Sequence, residues 1–97
     1  MLEKKYLKSK PVCKVTFTLA ATSAESVHLV GDFNDWDEQA TPLKRLRDGR
    51  FKTTLDLENE RQYQFRYLVN GDEWHNDEEA DAYVANPFGG EDSVVIT

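Results

Sequence analysis

Ninety-seven residues, 39% of them apolar and 11% aromatic, suffice for one domain with one core and leave no room for a second. The net charge of −6 is uneven: residues 1–52 hold ten Lys/Arg against seven Asp/Glu, and residues 53–97 two against eleven, which speaks against a nucleic-acid partner. No apolar run approaches the roughly 20 residues that span a bilayer, so no membrane partner is expected.

In chain order, residues 1–11 are basic (Lys4, Lys5, Lys8, Lys10) and read as a solvated terminal segment ahead of a domain at 12–97. They lack the apolar stretch of a secretory signal. Cys13, Val15, Phe17 and Leu19 alternate with Lys14, Thr16 and Thr18, the pattern of a strand with one buried face. Cys13 is the sole cysteine; it can form no internal disulfide, so a reducing, cytoplasmic setting is the default expectation. Its place on the apolar face reads as a small core residue and not a nucleophile.

Val27 to Val30 form a second short strand, ended by Gly31, and residues 32–48 read as a long ordered loop closed by the turn signal Asp48-Gly49. Phe51, Thr53, Leu55 and Leu57 mark a third strand, and Glu58-Asn59-Glu60 the turn out of it. Tyr63, Phe65, Tyr67 and Val69 alternate with Gln62, Gln64 and Arg66 in a fourth. After Asn70-Gly71, residues 73–75 can pair back. Residues 76–92 read as a second long loop, broken by Asn86-Pro87 and Gly89-Gly90, before a last strand at 93–97. Short strands between turn signals predict an all-β sandwich with Val15, Phe17, Leu29, Phe51, Leu55, Tyr63, Phe65 and Tyr67 inside. The two long loops are where function is expected.

Two segments carry candidate chemistry: Gly31-Asp32-Phe33-Asn34-Asp35-Trp36, and Val69-Asn70-Gly71-Asp72-Glu73-Trp74-His75-Asn76-Asp77. Each sets one Trp among short polar residues in a turn-rich context. A pyranose ring offers apolar C–H groups on its face and hydroxyls round its edge. A rigid indole suits the face, and amide, carboxylate or guanidinium groups suit the edge. On the residues alone, the tryptophans either form such a platform or seal one end of the sandwich. Phe33 is the better core candidate, packing under the loop while Trp36 points away.

The run Val27-His28-Leu29-Val30-Gly31-Asp32-Phe33-Asn34-Asp35-Trp36, then Thr41-Pro42-Leu43, resembles the opening of the family 48 carbohydrate-binding modules. That group includes the isoamylase-type N-terminal early-set domains and the glycogen-binding domain of the AMP-activated protein kinase beta subunit. The likeness continues through Asp48-Gly49-Arg50-Phe51, Tyr63-Gln64-Phe65-Arg66-Tyr67, Val69-Asn70-Gly71 and Trp74-His75-Asn76-Asp77, covering nearly the whole chain. It implies an immunoglobulin-like, early-set β-sandwich. It also implies that Trp36 and Trp74 stack on α-1,4-linked glucan and that Gln64 stands where the family often has a Lys. Asn34, Arg66, Asn70 and Asn76 are expected as hydrogen-bonding supports. In 86–92, Phe88 matches the apolar loop tip of the kinase-subunit members, and Asp92 lies near a sugar-contacting Asn. The ending from Pro87 to Ser93 is similar to small free-standing bacterial members.

The expectation is a non-catalytic glucan-binding module, accessory to family 13 glycoside hydrolases or branching enzymes acting in trans. A glycosidase needs two facing carboxylates, whereas the acids here (Asp32, Asp35, Asp37, Glu38, Asp77, Glu78, Glu79, Asp81) lie mostly in solvated stretches. Asp77, Glu78, Glu79 and Asp81 lack the spacing of a Ca²⁺ loop, and His28 and His75 stand far apart, so neither metal nor cofactor is expected. The competing reading is an early-set domain that does not bind sugar and serves protein interaction or a structural role, since aromatic anchors look alike in sequence.

Overall fold

Alternation along the strands produces two antiparallel sheets in the computed structural model, which describes residues 2–97. Strands β1 (Leu2–Tyr6), β2 (Val12–Leu19), β5 (Phe51–Glu58) and β4 (Lys44–Arg45) lie side by side in that order in the first sheet. Strands β3 (Val27–Gly31), β6 (Gln62–Val69), β9 (Glu91–Ile96) and β8 (Ala82–Ala85) form the second, and β7 (Glu73–His75) pairs with β6 beyond the end of β9. This is the all-β, immunoglobulin-like sandwich expected from the sequence.

Register explains the layering. On β2, Val15 stands opposite Leu55 and Phe17 opposite Thr53 of β5, pointing inward; Lys14 opposite Asp56 and Thr16 opposite Thr54 point out. The Thr16 and Thr54 hydroxyls meet at 3.0 Å on that outer face. From the second sheet, Val27, Leu29, Phe65, Tyr67, Val69 and Val95 meet Cys13, Val15, Phe17, Phe51 and Leu57 in one buried cluster. Its centre is aromatic: Phe17 and Phe65 stand edge to face at 5.1 Å, as do Phe65 and Tyr67 at 5.7 Å. Phe33 caps the cluster, 5.7 Å from Phe17 and 6.1 Å from Tyr63. Leu55 and Tyr63 are partly buried at its margin.

Three segments differ from their expected form. The basic terminus, read as a solvated segment ahead of the domain, contributes a strand to the first sheet: Leu2–Tyr6 pairs along β2 in full register. Lys4 faces inward at this edge and its ammonium meets Asp81 at 2.6 Å, bridging the first sheet to the start of β8. An inward charge of this kind discourages further strand pairing at a sheet edge. The long loop 32–48 contains the short strand β4, and 76–92 contains β8; both are too brief to show periodicity. Asp77, grouped among the solvated acids, is fully buried.

Val30, Leu68 and Val94 are also buried, yet they lie outside the inter-sheet cluster. Alternation puts them on the outer face of the second sheet, so something must cover that face too.

Candidate functional site

The cover is a ring of side chains around a groove of about 520 Å³. On β6, Gln64 and Arg66 point outward between the inward Tyr63, Phe65 and Tyr67. Trp74, the middle residue of β7, stands opposite Leu68 and lines the groove with them. The Arg66 guanidinium lies 5.8 Å from the Trp74 ring centroid, a cation–π distance that holds the indole against the sheet.

Trp36 arrives by a tighter route. After Gly31 the chain makes one turn of 3-10 helix at Asp32–Asn34 and then takes two left-handed residues, Asp35 and Trp36, both with φ 56°. The Trp36 N–H closes the loop on the Gly31 carbonyl at 2.9 Å. The Asn34 amide locks it from within, donating to Leu29 O (2.8 Å) and Thr41 Oγ1 (3.0 Å) and accepting from Gly31 N. The Trp36 indole N–H then donates to Asp32 Oδ1 at 2.9 Å.

The third wall is the β8–β9 turn. Asn86 Oδ1 accepts from the N–H groups of Phe88 and Gly90, both at 3.0 Å, and its Nδ2 donates to Asp92 Oδ1 at 3.1 Å. Gly89 takes φ 88°, which only a residue without Cβ adopts freely. Pro87 and Phe88 are thereby presented at the rim, and the Phe88 side chain is 93% exposed.

Of the nine residues expected at the site, Trp36, Gln64, Arg66, Trp74, Phe88 and Asp92 converge on this groove. Asn34, Asn70 and Asn76 do not, and the reason is the same for each. Asn34 is spent inside its loop, as above. Asn70 Oδ1 accepts from Glu25 N and Ser26 N at the far end of the β6–β7 hairpin. Asn76 donates to Glu91 O and accepts from the Ser93 hydroxyl. Glu73 and His75 alternate to the other side of β7 from Trp74, where with Asn70, Asn76, Glu78 and Glu79 they border a separate hollow of about 410 Å³. Asn86 and Pro87 join the groove without having been singled out. An Asn two residues before an exposed apolar tip and four before a Gly was the available signal, because Asx turns take that form.

Among the described residues the groove presents indole and phenyl faces, two amides (Gln64 and Asn86), one guanidinium and one carboxylate. That set suits a flat apolar ring with a hydroxylated edge. Asp92 is the one acid lining it. No group of three or more His, Cys, Asp or Glu among the described residues has a metal-holding arrangement.

The family model for carbohydrate-binding module 48 (isoamylase N-terminal domain) matches residues 2–88. The chain belongs to this family. Two relatives of this family 48 module are 1,4-alpha-glucan branching enzymes GlgB. That of Photobacterium profundum is 39% identical over 57 residues, 58% of this chain and 8% of the enzyme. That of Butyrivibrio fibrisolvens is 49% identical over 37 residues, 38% of this chain and 6% of the enzyme. The module therefore matches less than a tenth of either relative's length. The family match describes a binding module, and these 97 residues hold no separate catalytic domain.

Proposed function

We propose that this module binds α-1,4-linked glucan, without catalysis, in the groove between Trp36, Trp74 and Phe88. The observation that carries the reading is that both indoles lie on one sheet face beside Gln64, each held by a charged partner. Stacking surfaces that are already fixed lose little entropy when a sugar arrives. The names of the two branching-enzyme relatives support a glucan over other sugars. They also support a role accessory to glucan metabolism, and the enzyme served is proposed to act in trans. The site is shallow, so affinity should be modest.

Titration of the ¹⁵N-labelled module with maltoheptaose and β-cyclodextrin, followed at the two indole N–H signals, tests this. Saturable shifts at Trp36 and Trp74 are expected. Indoles that stay put at millimolar sugar would exclude the glucan reading. They would favour a protein partner anchored on the 93% exposed Phe88 and the 40% exposed Trp74.

A further inference from the structure

The β3–β6 ladder ends in an unusual way. On β3, Leu29 N and Val27 O are taken by Thr41 and Leu43 on the outer side. Bonds to β6 therefore come from the alternate residues, His28 opposite Leu68 and Val30 opposite Arg66. The next bonded pair would be Asp32 with Gln64. At Asp32, however, the chain turns into the 3-10 helix, and its backbone carbonyl leaves the ladder. The Gln64 N–H is satisfied instead by the Asp32 side chain, at 2.8 Å to Oδ2. The other oxygen of the same carboxylate accepts the Trp36 indole N–H at 2.9 Å.

We infer that Asp32 is a positioning residue of the glucan site, an inference that rests on the reading of that site above. One carboxylate holds the Trp36 platform at a set distance from the strand that carries the Gln64 amide. Trp36 needs such a tether. It stands on a backbone with two successive left-handed residues, neither a glycine, and projects from a loop instead of a strand. Without Asp32 the indole keeps its chemistry but loses its orientation toward Gln64. Trp74 has its own restraint in Arg66 and does not depend on Asp32.

A double-mutant cycle in the 97-residue chain tests this, with maltoheptaose affinity and the indole N–H spectrum as readouts. In D32A the Trp36 indole signal should move toward the position of a free indole while that of Trp74 holds. The dissociation constant should rise about fivefold, the equivalent of one lost hydrogen bond. In the W36A background the same substitution should add less than about twofold, because Asp32 acts through Trp36. Unchanged affinity in D32A would overturn the inference, as would an equal loss in both backgrounds, which would mark a purely structural role. Should D32A not fold, D32S, whose single hydroxyl can still end the ladder, takes its place in the cycle. A wild type that ignores maltoheptaose would remove the glucan site and this inference together. A wild type that binds, with D32A binding equally well, removes this inference alone.

Discussion

The Tyr67 hydroxyl donates to Asp77 Oδ2 at 2.7 Å, and both side chains are sealed from water. Asp77 is held further by its own N–H on the Ser93 hydroxyl (2.9 Å) and by the Glu79 N–H on Oδ1 (2.8 Å). Tyr83 donates to its carbonyl. This buried cluster fastens the segment after β7 to β6, β8 and β9, and so sets the face on which Trp74 lies. Burial first, and then the Asp77 carboxylate, hold the Tyr67 hydroxyl far above its ordinary value of 10.0.

Tyr67→Phe should therefore cost about 1–3 kcal/mol at neutral pH, by leaving a buried carboxylate short of a donor. The sign of the pH effect follows from the raised value. Tyr67 stays protonated in the folded protein while the unfolded chain ionises above about pH 10. Its contribution is thus whole below pH 10 and declines as pH rises, with a slope of up to about 1.4 kcal/mol per pH unit. Urea unfolding at pH 7, 10 and 11 should show a shallower alkaline decline in the variant. Equal slopes would contradict the assignment.

Gly31→Ala should destabilise the fold by about 1–3 kcal/mol or more. The backbone there is extended, so conformation is not the obstacle. An added Cβ would sit 2.5 Å from Gln64 O, 2.8 Å from Phe65 Cβ and 3.0 Å from Phe33 Cζ. Two of these contacts are with β6 itself and cannot give. A melting temperature equal to that of the wild type would show that β3 and β6 separate more easily than this packing allows.

Trp36→Ala and Trp74→Ala should each weaken maltoheptaose binding roughly five- to thirtyfold, the equivalent of about 1–2 kcal/mol per stacked ring. Circular dichroism should show the fold retained, since neither indole belongs to the inter-sheet core. Calorimetric titration of the double variant should detect no binding. Full-strength binding would place the sugar elsewhere on the module.

Asn86→Ala should loosen the β8–β9 turn without affecting the sandwich. It removes the acceptor for Phe88 N and Gly90 N and the donor to Asp92 in one step. Amide exchange at Phe88 and Gly90 should quicken, and maltoheptaose affinity should fall by about two- to fivefold as the Phe88 rim loses its set position. Unchanged exchange would mean that the turn is held by its backbone bonds, Asn86 N on Gly90 O and Gly89 N on Asn86 O, which survive the substitution.

Much of the architecture was legible because the strand period is two and each long strand buries one face. The alternations at 13–19, 51–57 and 63–69 became β2, β5 and β6, and their apolar residues reached the core. Three elements were not. β1 carries one apolar residue at each end of a charged run, so its inward face is visible only against β2. β4 is two residues long, and β8, at four, has apolar side chains on both faces. The site divided along a similar line. Trp36, Trp74, Gln64, Arg66, Phe88 and Asp92 were identified by residue type and family likeness, and they meet in one groove. The three asparagines were suitable in type but not in availability.

Sequence by itself determined that this protein is a sandwich of short strands with two indoles on turn-rich segments, because side-chain period and turn chemistry are local properties. Tertiary structure alone decided which polar groups remain for a ligand. A hydrogen-bonding side chain is used up by whatever the fold brings beside it. Asn70 meets Ser26 across 44 residues, and Asn76 meets Ser93 across 17. The same long-range pairing set Asp32 against Gln64, 32 residues away, and so gave Trp36 its anchor. Contacts of that range have no local signature, and only the closed sandwich discloses them.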